Sequence, residues 1–232
     1  MDSNQTTLRI IAVTAMLCLT GILCITIVVF GAPFAKVLAE RFFSQKKSAG
    51  LVLHFDGSYS GEDGEFGFES GPSFISGRRG KGVLIDQEDS LYYTTDDNIN
   101  KDRGALEFWL KPTWAGDDGG SYVFFEVGDD WFNRMRIIKD GANNFRFMVW
   151  SSEVEYDAAC SVAEWSANEW HHVRAVWEDG NIFLYLDGEN CDTQTFVVMP
   201  ESLSSRLFIG SSSKRDLQAQ AVIDEFSISP EP

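Results

Sequence analysis

Two runs of residues, WHHVRAVW at 170–177 and NIFLYL at 181–186, flank an Asp179-Gly180 turn. Their apolar positions recur every second residue, and Asp-Gly suits the tight turn of a β-hairpin, so the stretch reads as two paired strands. Strand geometry sends alternate side chains to opposite faces. Val173, Ala175 and Trp177 therefore share one face, and Trp170, His172, Arg174 and Val176 the other. His171 and His172 point apart and cannot chelate one metal together. The third histidine of the chain is His54, so a histidine zinc site lacks its ligands.

From residue 50 onward the chain shows no helical period. Short aromatic and β-branched runs lie between Gly, Asp and Asn clusters: residues 51–55, 82–85, 90–93, 105–111, 122–127, 134–138, 144–150, 195–198, 206–210 and 221–228, besides the hairpin. Within 105–111, Leu106, Phe108 and Leu110 face one way and Glu107 and Lys111 the other; Phe145, Phe147 and Val149 alternate with Arg146, Met148 and Trp150. One face of each strand is turned to a core. A dozen such strands without helices predict an all-β domain, a two-sheet antiparallel jelly-roll sandwich spanning 50–229, with a short tail at 230–232.

The first 49 residues are different. Residues 10–35, IIAVTAMLCLTGILCITIVVFGAPFA, hold no ionisable side chain besides two cysteine thiols. At about 1.5 Å per residue this run exceeds the roughly 30 Å hydrocarbon core, so a single tilted transmembrane α-helix is expected ahead of the sandwich, in contact with membrane lipid. A cleaved signal peptide has an apolar stretch of only about 7–15 residues. Residues 1–9 form a tail, and 36–49 a juxtamembrane linker. Basic residues on the C-terminal flank favour a cytoplasmic sandwich. An acidic sandwich with two cysteines able to pair favours the other side, and an extracytoplasmic (periplasmic or extracellular) domain is the expectation.

The net charge is −16, yet residues 1–49 hold five basic residues against Asp2 and Glu40, so the acidic excess lies wholly beyond residue 49. Such a surface repels phosphate backbones, and nucleic acid is not an expected partner.

Five stretches in order, LVLHFDG, GKGVLID, GALEFWLKP, NEWHHVRAVWEDGNIFLYLDGE and LFIGSSS…AVIDEFSI, resemble the laminin-G-like, concanavalin A-like jelly-roll family over residues 50–229. That fold hosts lectins, adhesion domains and glucanases, so the resemblance implies an architecture rather than an activity. Its laminarinase-type glucanases carry alternating carboxylates, E-x-D-x-E, on one strand face. The nearest match here, EYDAA at 155–159, lacks the third carboxylate. No catalytic residue is assigned, and an enzyme is not expected.

The resemblance also implies a structural or ligand-bridging Ca²⁺, with Asp56 and Asp224 matching acidic positions at the two chain ends; otherwise Asp56 caps a turn and Asp224 pairs with a base. Trp114 beside Asp117 and Asp118, and Trp131 beside Asp129 and Asp130, suit a sugar ring, with CH groups on the π face and hydroxyls on the acids. The other reading folds both indoles over the sandwich rim. Cys160 and Cys191 are either a disulfide or two separate thiols. Arg136, Arg146 and Arg174 form either a basic stripe or pairs with Glu107 and Glu126. The expected function is membrane-anchored, non-catalytic recognition of a glycan or protein. The alternative is a structural accessory subunit of a larger membrane protein complex, its helix docked among others and its sandwich clamping a partner.

Overall fold

A computed structural model describes residues 50–128 and 132–232. The expected membrane helix and linker lie outside the described residues, as do Asp129, Asp130 and Trp131. Among the described residues no helix is long and apolar enough to cross a membrane.

Fifteen strands build two antiparallel sheets. They are β1 (Leu51–Leu53), β2 (Phe68–Ser70), β3 (Ser73–Ser76), β4 (Lys81–Ile85), β5 (Ser90–Thr94), β6 (Gly104–Pro112), β7 (Tyr122–Val127) and β8 (Asn133–Lys139). The rest are β9 (Asn144–Ser151), β10 (Val154–Ser161), β11 (His171–Glu178), β12 (Asn181–Leu186), β13 (Glu189–Thr195), β14 (Arg206–Ile209) and β15 (Ala221–Ser229). The first sheet runs β13-β12-β11-β6-β15-β4-β3, with β1 also on β15; the second runs β10-β9-β8-β7-β14-β5-β2.

The facing sides of the two sheets fill one core. Phe108, Phe145, Phe147, Phe226 and Trp177 are buried there by the period-two pattern of their strands. A bulge between Val123 and Phe125 lets the consecutive Phe124 and Phe125 both join the core. Phe124 stacks on Phe145 with centroids 4.8 Å apart.

The unexpected strands are edge or near-edge elements. β10 and β13 end the two sheets on one flank, and β2 and β3 on the other. Edge strands face water on one side, so their sequences are polar and weakly patterned. Of residues 195–198, expected as a strand, Thr195 ends β13 and the rest follow it: Phe196 takes a left-handed φ of 58°, which ends the pairing. Cys160 of β10 and Cys191 of β13 form a disulfide with Cα atoms 6.1 Å apart. Beside it the Asp192 carboxylate accepts the Ala159 N–H at 2.8 Å. The two sheets are thus stitched together along the β10/β13 flank, and the β2/β3 flank carries no such bond among the described residues.

Candidate binding groove

Of the predicted site residues among those described, Trp114, Asp118, Asp56 and Asp224 are engaged within the protein. Trp114 is buried, its Nε1 donating to the Ala219 carbonyl at 2.9 Å and its ring stacked on Tyr122 at 4.8 Å. Only 6% of its surface is exposed, so it is placed as the rim-folded reading expects and not as an open sugar platform. Asp118 accepts bonds from the Tyr122 hydroxyl and from Lys139 Nζ, the latter at 2.8 Å. Burial pushes the Asp118 carboxyl up, but these bonds and the Gly120 N–H outweigh it and hold it below its ordinary value. Lys139 is fully buried; Gly120 O and Asn143 Oδ1 take its other two protons, and the Trp114 and Tyr122 rings lie near it. Asp117 is exposed in the adjoining turn.

Asp56 and Asp224 both bind the 78–81 loop, through backbone amides. Asp224 Oδ2 accepts the N–H groups of Arg78 (2.7 Å) and Arg79 (2.9 Å), its Oδ1 accepts that of Glu225, and burial pushes its carboxyl up. Asp56 Oδ1 accepts the Lys81 N–H at 2.7 Å. The loop N–H groups and that of Glu225 thus occupy both oxygens of Asp224 and one of Asp56, the two carboxylates that the family resemblance offered to Ca²⁺. Among the described residues no three His, Cys, Asp or Glu side chains are grouped to hold a metal.

Nor is there a basic stripe. Arg136 reaches Glu126 at 2.9 Å on the second sheet, whereas Arg174 lies 3.7 Å from Glu107 on the first. Arg146 grips Asp157 at 2.8 Å and Glu155 at 3.0 Å. That clamp takes the two carboxylates of β10 that come closest to a glucanase pair.

A concave feature lies elsewhere, on the outer face of the second sheet at its β2 edge. Phe68 of β2 is opposite Tyr92 of β5, and Tyr92 is opposite Phe208 of β14. Their strand neighbours Leu91, Leu207 and Ile209 turn into the core, so alternation forces these three rings outward in a row. Phe68 and Tyr92 stack at 4.9 Å and 8°, and Phe208 follows at 5.5 Å. Phe66 meets Phe68 edge-on at 5.3 Å and is 69% exposed.

Gly67 makes this possible. A Cβ there would lie 2.7 Å from the Tyr93 hydroxyl oxygen and 2.9 Å from the Tyr59 carbonyl, so only glycine lets the chain pass with both phenylalanines outward. With Arg206, Arg215 and the serines 70, 90 and 213, these rings enclose a groove of about 490 Å³, a size usual for small-ligand sites. None of the residues chosen from the sequence lines it. The signal was present in the alternating Phe66 and Phe68, but these stood in a glycine-rich acidic segment that reads as loop.

Residues 86–232, more than half of the chain, match the family model described as the concanavalin A-like lectin/glucanases superfamily. The chain belongs to this superfamily. No curated protein matches it in sequence. Among solved structures, this lectin/glucanase-type domain is similar to domain 4 of AbnA, a GH43 extracellular arabinanase from Geobacillus stearothermophilus, in complex with arabinotriose. Identity is 13%, coverage 78% of this chain and 91% of that one, and the TM-score 0.63. It is also similar to the binding domain of botulinum neurotoxin serotype D, at 13% identity, 78% and 48% coverage and a TM-score of 0.62. The binding domain of botulinum neurotoxin DC, in complex with SialylT, matches at 13% identity, 80% and 48% coverage and a TM-score of 0.61. The chain thus spans about half the length of the neurotoxin chains. At these identities the likeness is one of fold.

Proposed function

We propose that this chain is a non-catalytic recognition module, held at a membrane by residues 10–35, whose extracytoplasmic sandwich binds a saccharide in the Phe66/Phe68/Tyr92/Phe208 groove. The observation that carries the reading is that row of outward rings, in register across three strands and walled by the exposed Phe66. Apolar rings on a rigid sheet offer CH–π packing to a sugar ring, and the serine hydroxyls offer hydrogen bonds. Two similar folds are known with arabinotriose and with SialylT bound, which fits a saccharide ligand. The Arg146 clamp on Glu155 and Asp157 supports the non-catalytic reading, since glycoside hydrolysis needs one carboxyl free to deliver a proton. The disulfide fits an oxidising compartment.

The test is a glycan array probed with the full-length chain in detergent. Binding to a defined subset, lost in both Phe66→Ala and Phe68→Ala, is the expected result. Binding that survives both substitutions would remove the groove from the reading.

A second reading, the accessory subunit, draws on the opposite kind of surface. Phe196 is 90% exposed at a strained φ of 58°, and Val198 beside it is 58% exposed. A bulky residue kept in that conformation suits a protein contact. Gentle extraction from the native membrane separates the two readings: partners in fixed stoichiometry favour the subunit, a lone chain favours the lectin-like module.

A further inference from the structure

The arginines of this acidic chain divide into two groups. Arg79, Arg136, Arg146 and Arg174 each have a carboxylate oxygen at 2.8 to 3.9 Å. Arg78, Arg103, Arg206 and Arg215 have none among the described residues, although the chain holds 35 acidic side chains against 19 basic ones. Two of these four unmatched arginines, Arg206 and Arg215, line the aromatic groove.

Their placement is ordered. The Arg206 guanidinium sits over the Tyr92 ring, 4.8 Å from its centroid. A guanidinium held over a ring face can still offer its N–H groups to a ligand, and their fork matches a carboxylate. Arg215 is held from the other side, its Nη2 donating to the Glu88 carbonyl at 3.1 Å. Strand register puts Arg206 opposite Thr94, two residues past Tyr92, whereas Arg215 reaches the turn that leads into Ser90. The two cations therefore lie on either side of the aromatic row, along the strand direction.

The acids nearby do not oppose a carboxylate there. Glu69 belongs to the lining, but alternation along β2 sends its side chain to the face opposite Phe68. Glu126, opposite Phe208, is buried and held by Arg136.

Building on the reading of the groove as a saccharide site, we infer that its ligand is an acidic oligosaccharide carrying more than one carboxylate. One carboxylate binds the Arg206 fork and a second the Arg215 end, while a sugar ring between them packs on Phe66. The serine-lined walls favour a hydroxyl-rich ligand over an acidic peptide.

The experiment uses the full-length chain in detergent and matched probes: tetramers of galacturonate, glucuronate and mannuronate, each beside its methyl ester and its neutral parent sugar, with oligoglutamate as the peptide arm. At least one acid should bind about tenfold or more tighter than its own ester, a factor expected of a charge-assisted contact. Arg206→Gln should erase most of that difference. Arg206→Lys, which keeps the charge and loses the fork, should restore only part of it. Equal binding of acid and ester, lost in Phe68→Ala, would overturn the acidic ligand and leave the groove intact. Oligoglutamate binding alone would overturn the saccharide class. If no probe binds, the inference falls with the groove reading.

Discussion

Two ladders of stacked aromatic rings, each with a cation against it, stand in different parts of the sandwich. In one, Trp114, Tyr122 and Trp165 surround Lys139, whose three protons are all taken by Asp118, Gly120 and Asn143. In the other, Phe68, Tyr92 and Phe208 lie beside Arg206, which has no acidic partner among the described residues. The residue chemistry is alike and the roles differ. What separates a structural cluster from a site is saturation: in the first ladder all three Lys139 protons are used, and in the second Phe68 stays 43% exposed and Arg206 lacks a carboxylate among the described residues. The flanks repeat the contrast, since the β10/β13 edges are joined by a disulfide and the β2/β3 edges are not.

The sharpest break of this comparison is Trp114→Ala. Truncating a buried tryptophan costs about 4 kcal/mol, and here it also strips cover from Lys139. Chemical denaturation should show a loss of that size, with saccharide affinity of the remaining folded protein unchanged. A loss below about 1 kcal/mol would mean the indole is not a structural element. The Cys160→Ala/Cys191→Ala double variant comes next. Its disulfide spans 31 residues, and opening it should cost about 3–4 kcal/mol, read as a lower denaturation midpoint.

The open ladder should respond in the reverse sense. Phe68 is 43% exposed, so Phe68→Ala should change stability by less than about 1 kcal/mol while weakening ligand binding about tenfold. Were the stability loss as large as that of Trp114→Ala, the two ladders would be one kind of object and the groove would lose its special standing.

How far the sequence discloses these features follows from the same distinction. The central strands announce themselves because both neighbours and the core dictate their pattern; Leu106, Phe108 and Leu110 of β6 are a clear case. Edge strands are dictated on fewer sides, so Asn190 and Asp192 of β13, or Phe68 and Glu69 of β2, do not declare a strand. For the site, a tryptophan beside two aspartates looks like a sugar platform in one dimension. Trp114 is buried by the chain around Ala219, more than a hundred residues away, and no local pattern encodes that. The groove likewise exists only through the pairing of residues 68, 92 and 208.

The smallest expected effect lies in the segment that carries Phe66. His54 Nε2 contacts Glu62 at 2.8 Å and its Nδ1 contacts Glu225 at 2.9 Å, with Arg79 3.9 Å from the same Glu225. A protonated imidazole donates to both carboxylates, and a neutral one to only one. Hydrogen bonds to Glu62 first, and then to Glu225, raise the His54 pKa above its ordinary 6.5. The bridge's contribution is therefore fully present below about pH 6.5 and is lost as pH rises through the raised folded value. Amide hydrogen exchange over residues 58–66, corrected for its intrinsic pH dependence, should accelerate across that interval. The change is small, because Tyr93 and Tyr59 also tie the segment down through hydrogen bonds to Tyr59 O and Pro72 O. His54→Ala should flatten the profile at the faster rate and alter saccharide affinity by less than about twofold, since the bridge is exposed and weakly worth its bonds. A pH dependence that persists in His54→Ala would assign the titration to another group and detach the bridge from the groove's wall.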